Sequence, residues 1–303
     1  MDHRELLLLR AARETGVLEA LVTVAGTPDE VAAETGVTER AARITVEALA
    51  DLGYLERVGD GYEPTNRMLG FMTKTDVRSI GPVPHALDSL ERWIALPETM
   101  RTGEVPDPPA DWTVNFMGAM AAVDDATVRA CVTEAVHANP DAARVLDVGG
   151  GPGRFATEFA RRGFEVTLVD RPEVVDLDRR SLAHEPVELV AGDALADLPD
   201  GFDLAFASRL AHGFSPAENR RLLDTVFDAL DPGGVVVLTD YVRGRSSKAA
   251  LFAAHMLAQT PGGDTYTAEQ FRTWLAEAGF ETPSVADVPG TDVQAVTGRR
   301  PRD

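Results

Sequence analysis

Cysteine occurs once in 303 residues, at Cys131, so no internal disulfide and no multi-cysteine zinc site can form, and a lone cysteine reads as a small buried apolar residue. Lysine occurs only at Lys74 and Lys248, and arginine supplies the rest of the basic charge. No apolar run reaches the roughly 18 residues that a membrane-spanning helix needs. The opening Asp2-His3-Arg4-Glu5, ahead of four leucines, is amphipathic and too acidic for a signal peptide, so a cytoplasmic location without a membrane partner is expected. Aromatics are scarce at 6%, yet 44% apolar residues suffice for a real core, which excludes overall disorder. The net charge is -20, with acids scattered through every predicted helix instead of gathered in a tail.

Apolar residues recur at spacings of three and four through Leu6 to Leu21, Val31 to Ala33 and Ile44 to Leu52, which predicts helices. Thr27-Pro28-Asp29-Glu30 has the form of a helix start: an N-cap, proline at the first position and acids in the first turn. Gly36 ends that helix and Thr38 caps the next. Leu52 to Val58 and Gly61 to Thr65 then form two short strands around Gly59-Asp60-Gly61, which completes a winged-helix pattern. A DNA-binding role is set against by charge. Between residues 27 and 66, Asp29, Glu30, Glu34, Glu39, Glu47, Asp51, Glu56, Asp60 and Glu63 face only Arg40, Arg43 and Arg57, and phosphate would be repelled. A dimerisation or substrate-lid role fits this half better. Gly103 to Trp112, with three prolines, reads as a loop, and Phe116 to Asn139 as helix. The expected division is 1–100 for the helical winged domain, 101–140 for linking helices, and 141–303 for a second domain.

That second domain opens on Arg144-Val145-Leu146-Asp147-Val148-Gly149-Gly150-Gly151-Pro152-Gly153, an apolar strand entering an acid and a glycine-dense turn, with a helix expected over Arg154 to Arg162. Glycines let the backbone approach a ligand closely, and the following helix offers unpaired N–H groups at its positive end. Short apolar runs follow at Glu165 to Val169, Val187 to Val190, Leu204 to Ala207 and Val235 to Thr239, each trailed by a helical stretch, which predicts an α/β fold with a parallel sheet. Helix Ala268 to Ala278 precedes a terminal hairpin, Thr282 to Val288 and Val293 to Thr297, around Pro289-Gly290. As a pattern, Gly151-Pro152-Gly153-Arg154-Phe155-Ala156 fits the G-x-G-x-x-A dinucleotide fingerprint, so the loop alone leaves NAD open. The surrounding acids narrow it. Asp147 can accept from loop amides or a ligand ammonium, Asp170 from two ribose hydroxyls, and Asp193, after Gly192, from an adenine amino group. Three carboxylates at successive strand ends suit a cationic ligand better than a pyrophosphate.

These motifs, with Val169-Asp170-Arg171-Pro172-Glu173-Val174-Val175, Ala191-Gly192-Asp193, Ser208-Arg209-Leu210-Ala211-His212-Gly213-Phe214 and Leu230-Asp231-Pro232-Gly233-Gly234, resemble those of S-adenosylmethionine-dependent small-molecule O-methyltransferases of the plant caffeate and acetylserotonin type. The resemblance covers nearly the whole chain. It implies a class I methyltransferase seven-stranded sheet, Rossmann-like, with an N-terminal winged-helix dimerisation domain, hence a homodimer. It further implies S-adenosyl-L-methionine held by Asp147, Gly149, Gly151, Gly153, Asp170, Arg171, Gly192, Asp193, Ala194, Ser208 and Arg209, and a small, aromatic or quinone-like acceptor. His212 takes the general-base position, for which an imidazole titrating near neutrality is suited. Acceptor-pocket positions between the halves fall on Phe116 and Met120, with Met117, and on His255 and Met256, with Phe252.

Two departures from that family stand out. His212-Gly213-Phe214 replaces the usual His-Asp-Trp, and Thr265 stands where an acid commonly orients the histidine. Orientation is left to Asp240, to Asp264, or is weak, which keeps carbon or nitrogen methylation, or a non-methylating cofactor-binding homologue, as alternatives. A DNA-binding regulator and an NAD-dependent oxidoreductase are the alternatives from other classes. The remaining histidines, His3, His85, His137 and His184, lack metal-ligand spacing, so no metal is expected. Scarce lysine with excess acid resembles proteins of salt-accumulating halophiles, where dissolved ions screen self-repulsion.

Overall fold

The chain was analysed as a computed structural model, which describes residues 2–302. It divides into two units: Met1–Glu91 with Pro108–Ala122, and Arg92–Asp107 with Val123–Asp303. The first unit carries helices α1 (His3–Glu14), α2 (Val17–Thr23), α3 (Pro28–Thr35) and α4 (Glu39–Asp51), then strands β1 (Leu55–Val58) and β2 (Gly61–Pro64). Next come α5 (Asn66–Thr73), α6 (Val77–Ile80), the start of α7 (Val83–Thr102), and α8 (Trp112–Ala121). The α3 start follows its sequence: Thr27 caps it by accepting the Glu30 amide, Pro28 fills the first turn, and Gly36 ends it in the left-handed region. Strands β1 and β2 pair antiparallel with Val58 opposite Gly61. Leu9, Leu18, Leu49, Tyr54, Met68 and Leu87 are buried at the centre of this unit.

One expectation about this stretch is corrected. Trp112 opens α8 instead of ending the loop, and the continuous helix expected over Phe116 to Asn139 is two helices, α8 and α9 (Asp125–Ala138). The break has a local cause: Asp124 takes an extended conformation and its carboxylate accepts the Thr127 amide at 2.8 Å, so it starts a new helix.

The second unit alternates strands and helices: β3 (Arg144–Val148), α10 (Arg154–Arg161), β4 (Glu165–Asp170), α11 (Pro172–Ser181), β5 (Val187–Ala191) and β6 (Phe202–Ser208). It continues through α12 (Pro216–Ala229), β7 (Leu230–Asp240), α13 (Ala249–Gln259), α14 (Ala268–Glu277), β8 (Glu281–Asp287) and β9 (Gln294–Arg299). The sheet order is β5-β4-β3-β6-β7-β9-β8; β3 to β7 are parallel, while β9 runs antiparallel to both β7 and β8. The expected α/β sheet of seven strands with its terminal hairpin is therefore present.

The winding direction reverses at β3, which has β4 on one side and β6 on the other. A crevice opens at the carboxyl ends of strands at such a switch point, because the flanking connections leave in opposite directions. Alternation along β3 assigns Leu146 and Val148 to one apolar layer, with Leu222, Phe271 and Trp274. Val145 points to the other layer, with Phe155, Phe159 and Leu182. By the same two-residue period Asp147 shares the face of Val145, so this carboxyl belongs to a layer that is otherwise apolar.

Candidate active site

The glycine turn after β3 needs its glycines for two physical reasons. Gly149 (φ 64°) and Gly153 (φ 68°) lie in the left-handed region, and a Cβ would come within 2.9 Å of Leu210 Cδ1 at the first and 2.5 Å of Leu182 Cδ1 at the second. Gly151 also has positive φ, and its N–H donates to Asp170 Oδ2 at 2.9 Å. Asp170 Oδ1 accepts the Arg171 amide at 2.8 Å, so this acid both ends β4 and ties down the loop of β3.

Of the two partners expected for Asp147, the loop amides are engaged elsewhere. Loop amides bond to Asp170, whereas both carboxylate oxygens of Asp147 are buried without a hydrogen-bond partner. Burial first, then the charge of Asp170, pushes the Asp147 carboxyl up to about 7, and the nearby Ala156 amide opposes the shift. Burial likewise raises Asp170, partly countered by the Gly151 and Arg171 amides. An orphaned acid beside a loop that excludes Cβ atoms fits a ligand with an ammonium group better than a phosphate, because phosphate would add negative charge to an anionic wall.

Along the same edge, Gly192 donates its N–H to the Asp170 carbonyl at 2.9 Å, and the exposed Asp193 accepts the Leu195 amide at 2.9 Å in a tight turn after β5. The carbonyl of Ala194 accepts from Thr225 Oγ1 at 2.6 Å, which fastens that turn to α12. Arg171 is exposed at the start of α11, paired with Glu173 at 3.2 Å. Ser208 Oγ accepts from Thr239 Oγ1 at 2.8 Å. Arg209 has φ 55°, a strained value for a residue with a Cβ, and its N–H donates to the Thr239 carbonyl at 2.8 Å.

Beyond Arg209, a single 3-10 turn, Ala211–Gly213, presents His212. Its Nδ1 lies 2.8 Å from Asp240 Oδ1 and its backbone N–H donates to Asp240 Oδ2 at 3.1 Å. Asp240 Oδ1 also accepts the Tyr241 amide at 2.8 Å. A carboxylate oxygen accepts, so Nδ1 carries the proton and Nε2 is left as the basic nitrogen. Of the two acids that could orient the ring, it is Asp240 that touches it. Asp264 ion-pairs with Arg243 and accepts the Thr265 amide, and it meets His212 only through its backbone N–H, which donates to the His212 carbonyl at 3.0 Å. Thr265 donates to the Ala249 carbonyl and accepts from Arg243 Nε.

Rings extend outward from the histidine. Phe252 stands edge-on to His212 with centroids 4.7 Å apart and contacts Tyr241 at 4.8 Å and His255 at 5.5 Å. Trp93 stacks on His255 at 6.0 Å and donates Nε1–H to its Nδ1 at 3.2 Å. Trp93 escaped the sequence reading, because one tryptophan on a helix face carries no signal of a partner 162 residues away. Of the pocket candidates, His255 and Met256 belong to the second unit, with Met256 buried. Phe116 and Met120 belong to the first unit; Phe116 lies edge-on to His85 at 5.3 Å, and the neighbouring Met117 is core.

Residues 121–285 match the family described as a methyltransferase domain. Over 294 residues the chain is 28% identical to 3-hydroxy-5-methyl-1-naphthoate 3-O-methyltransferase of Streptomyces sahachiroi, covering 89% of this chain and 84% of that one. It is also 28% identical to the tetracenomycin polyketide synthesis 8-O-methyl transferase TcmO of Streptomyces glaucescens, covering 94% and 91%. Among solved structures, human N-acetylserotonin methyltransferase in complex with its cofactor aligns with a TM-score of 0.72 at 22% identity, over 98% of this chain and 94% of that one.

Proposed function

The chain belongs to the methyltransferase-domain family and is an S-adenosylmethionine-dependent methyltransferase, and from that premise we propose that its acceptor is a hydroxyl of a small aromatic or quinone-like molecule. The observation that carries the proposal is the His212–Asp240 pair facing a wall of rings. A fixed imidazole with a free basic nitrogen suits a hydroxyl that must lose its proton, and Phe252, His255 and Trp93 suit a flat acceptor. The relatives named for naphthoate and tetracenomycin substrates support the same acceptor class.

When bound, S-adenosylmethionine supplies an electrophilic methyl group on a sulfonium sulfur. Asp170 would take the ribose hydroxyls, Asp193 the adenine amino group and Asp147 the ammonium end, with Gly149, Gly151 and Gly153 allowing the loop to lie close. His212 Nε2 takes the acceptor's hydroxyl proton and holds it until solvent collects it, while Asp240 stabilises the resulting imidazolium. Screening phenols and quinols for a mass gain of one methyl group tests the assignment. Methylation confined to carbon or nitrogen, in the wild type, would overturn the oxygen-acceptor reading.

We further infer a cytoplasmic homodimer in which the first unit is a winged-helix dimerisation module. The α3–α4 pair followed by the β1–β2 hairpin supports the module, and the exposed apolar Leu7, Val24, Ile44 and Val58 support an interface. No helix among the described residues is long and apolar enough to cross a membrane. Light scattering reports the oligomer, and a monomer at micromolar concentration would count against it.

A further inference from the structure

Asp178 has had no role so far. It lies on the inward face of α11 with Val174 and Val175, its side chain is 0% exposed, and neither carboxylate oxygen has a hydrogen-bond partner. The same face leads one turn on to Leu182, the residue that a Cβ on Gly153 would strike, so this side of α11 abuts the glycine loop. The charges that bear on Asp178 are Asp170 first and Asp147 second. Both are acids. On Asp170 bear the Arg171 guanidinium, which is turned outward to Glu173, and the opposing charge of Glu173 itself; on Asp147 bears Asp170. Thus three carboxyls from β3, β4 and α11 bear on one another beside the loop, two of them buried with orphaned oxygens, and Arg171, the cation whose charge bears on Asp170, pairs outward with Glu173.

Buried like charges persist where something else supplies the opposite sign. A metal ion does not match the geometry, because no three such groups among the described residues approach closely enough to hold one. A spread organic cation does match, since its charges need only lie near several acids at once.

We propose that Asp178 is a third acid of the cofactor site, and that binding of S-adenosylmethionine expels a proton from the Asp147–Asp178 pair and so favours the sulfonium ligand over its demethylated product. This rests on the assignment of Asp147 and Asp170 to the cofactor. Burial and the neighbouring acids push Asp178 up to about 8 and Asp147 up to about 7, so near neutrality the ligand-free pair holds protons. A cation entering beside them favours the charged carboxylates, and the proton leaves to solvent. S-adenosylhomocysteine keeps the ammonium but lacks the sulfonium charge, so it drives less proton release. Product would then compete poorly with substrate, most of all toward alkaline pH.

Titration calorimetry in buffers of different ionisation enthalpy counts the protons released. The wild type should release about half to one proton more on binding S-adenosylmethionine than on binding S-adenosylhomocysteine, and its preference for the former should rise several-fold between about pH 6 and about pH 8. In Asp178→Asn the extra proton and most of that rise should vanish; the ligand's own amine titrates identically in both proteins and cancels. A difference in proton release between the two ligands that is the same in the wild type and in a folded Asp178→Asn overturns the proposal, and so does an unchanged preference in that variant. Asp170→Ala separates the two levels of inference. If its affinity for S-adenosylmethionine is intact, the cofactor-site assignment itself falls; if that affinity drops while Asp178→Asn behaves as wild type, only the role of Asp178 falls.

Discussion

At the ends of β6 and β7, Asp240 accepts from His212 Nδ1, the His212 amide and the Tyr241 amide, whereas around the glycine loop of β3 the oxygens of Asp147 and Asp178 accept nothing. The two regions belong to one sheet edge and hold acids of equal burial, yet one is complete by itself and the other is not. A proton-transfer pair gains from completion, because a ring fixed in advance loses nothing in reorganisation when charge develops. A cation site gains from incompleteness, because acids already satisfied by the protein would have little left to offer a ligand.

The sharpest way to break this contrast is His212→Ala. Turnover should fall about 10²- to 10⁴-fold while cofactor affinity in calorimetry stays within about twofold, since the proposed cofactor contacts lie at other strand ends. Unchanged turnover would remove the base assignment. Asp240→Asn should cost about 10²-fold in turnover by freeing the ring and allowing the wrong tautomer, and should distort the acidic limb of the pH–rate profile; a profile identical to wild type would mean that the ring is oriented by something else.

The loop side should show itself in stability. The ordinary value of Asp147 and Asp178 is 3.8, and the folded, ligand-free protein raises them to about 7 and about 8. Between those limits the unfolded chain has released protons that the folded chain still holds, so the contribution of these two groups to stability is fullest below about pH 4 and is lost as pH rises to about 8, by up to about 1.4 kcal/mol per unit for each group. Melting the ligand-free protein across that range should show the decline, Asp178→Asn should flatten it, and saturating S-adenosylmethionine should do so as well. A flat wild-type curve would mean the acids have found partners. The smallest effect expected is a rise of a few degrees in melting temperature on going from low to molar KCl, from screening of the net charge of -20. No rise would end the halophilic reading.

Much of the sheet edge was legible in the sequence because β-branched runs, glycines and strand-end acids are local signals. Each of the seven strands has a counterpart among the runs read from the sequence, with ends shifted by a few residues at most except at β7, which begins earlier, at Leu230. The residues that escaped notice depend on side-chain direction or distant partners. Asp178 was visible in principle, since Val174, Val175 and Asp178 fall at helical spacing on one face, but an acid in a helix reads as solvated unless the direction of that face is known. Trp93 needed the fold to bring it to His255. The competition between Asp240 and Asp264 for the histidine was settled by Arg243, which engages Asp264 and which spacing alone does not single out.

The antiparallel β9 carries a consequence for how the molecule comes into being. Strand β9 lies against β7 with Gln294 opposite Asp240, and the Gln294 side chain accepts the Val242 amide at 3.0 Å. The acid that steadies the histidine is thus walled in by a strand made after every residue of the site itself. Because β9 is the last strand of the sheet in chain order, the flank of β7 beside Asp240 can close only after the glycine loop and His212 have been synthesised.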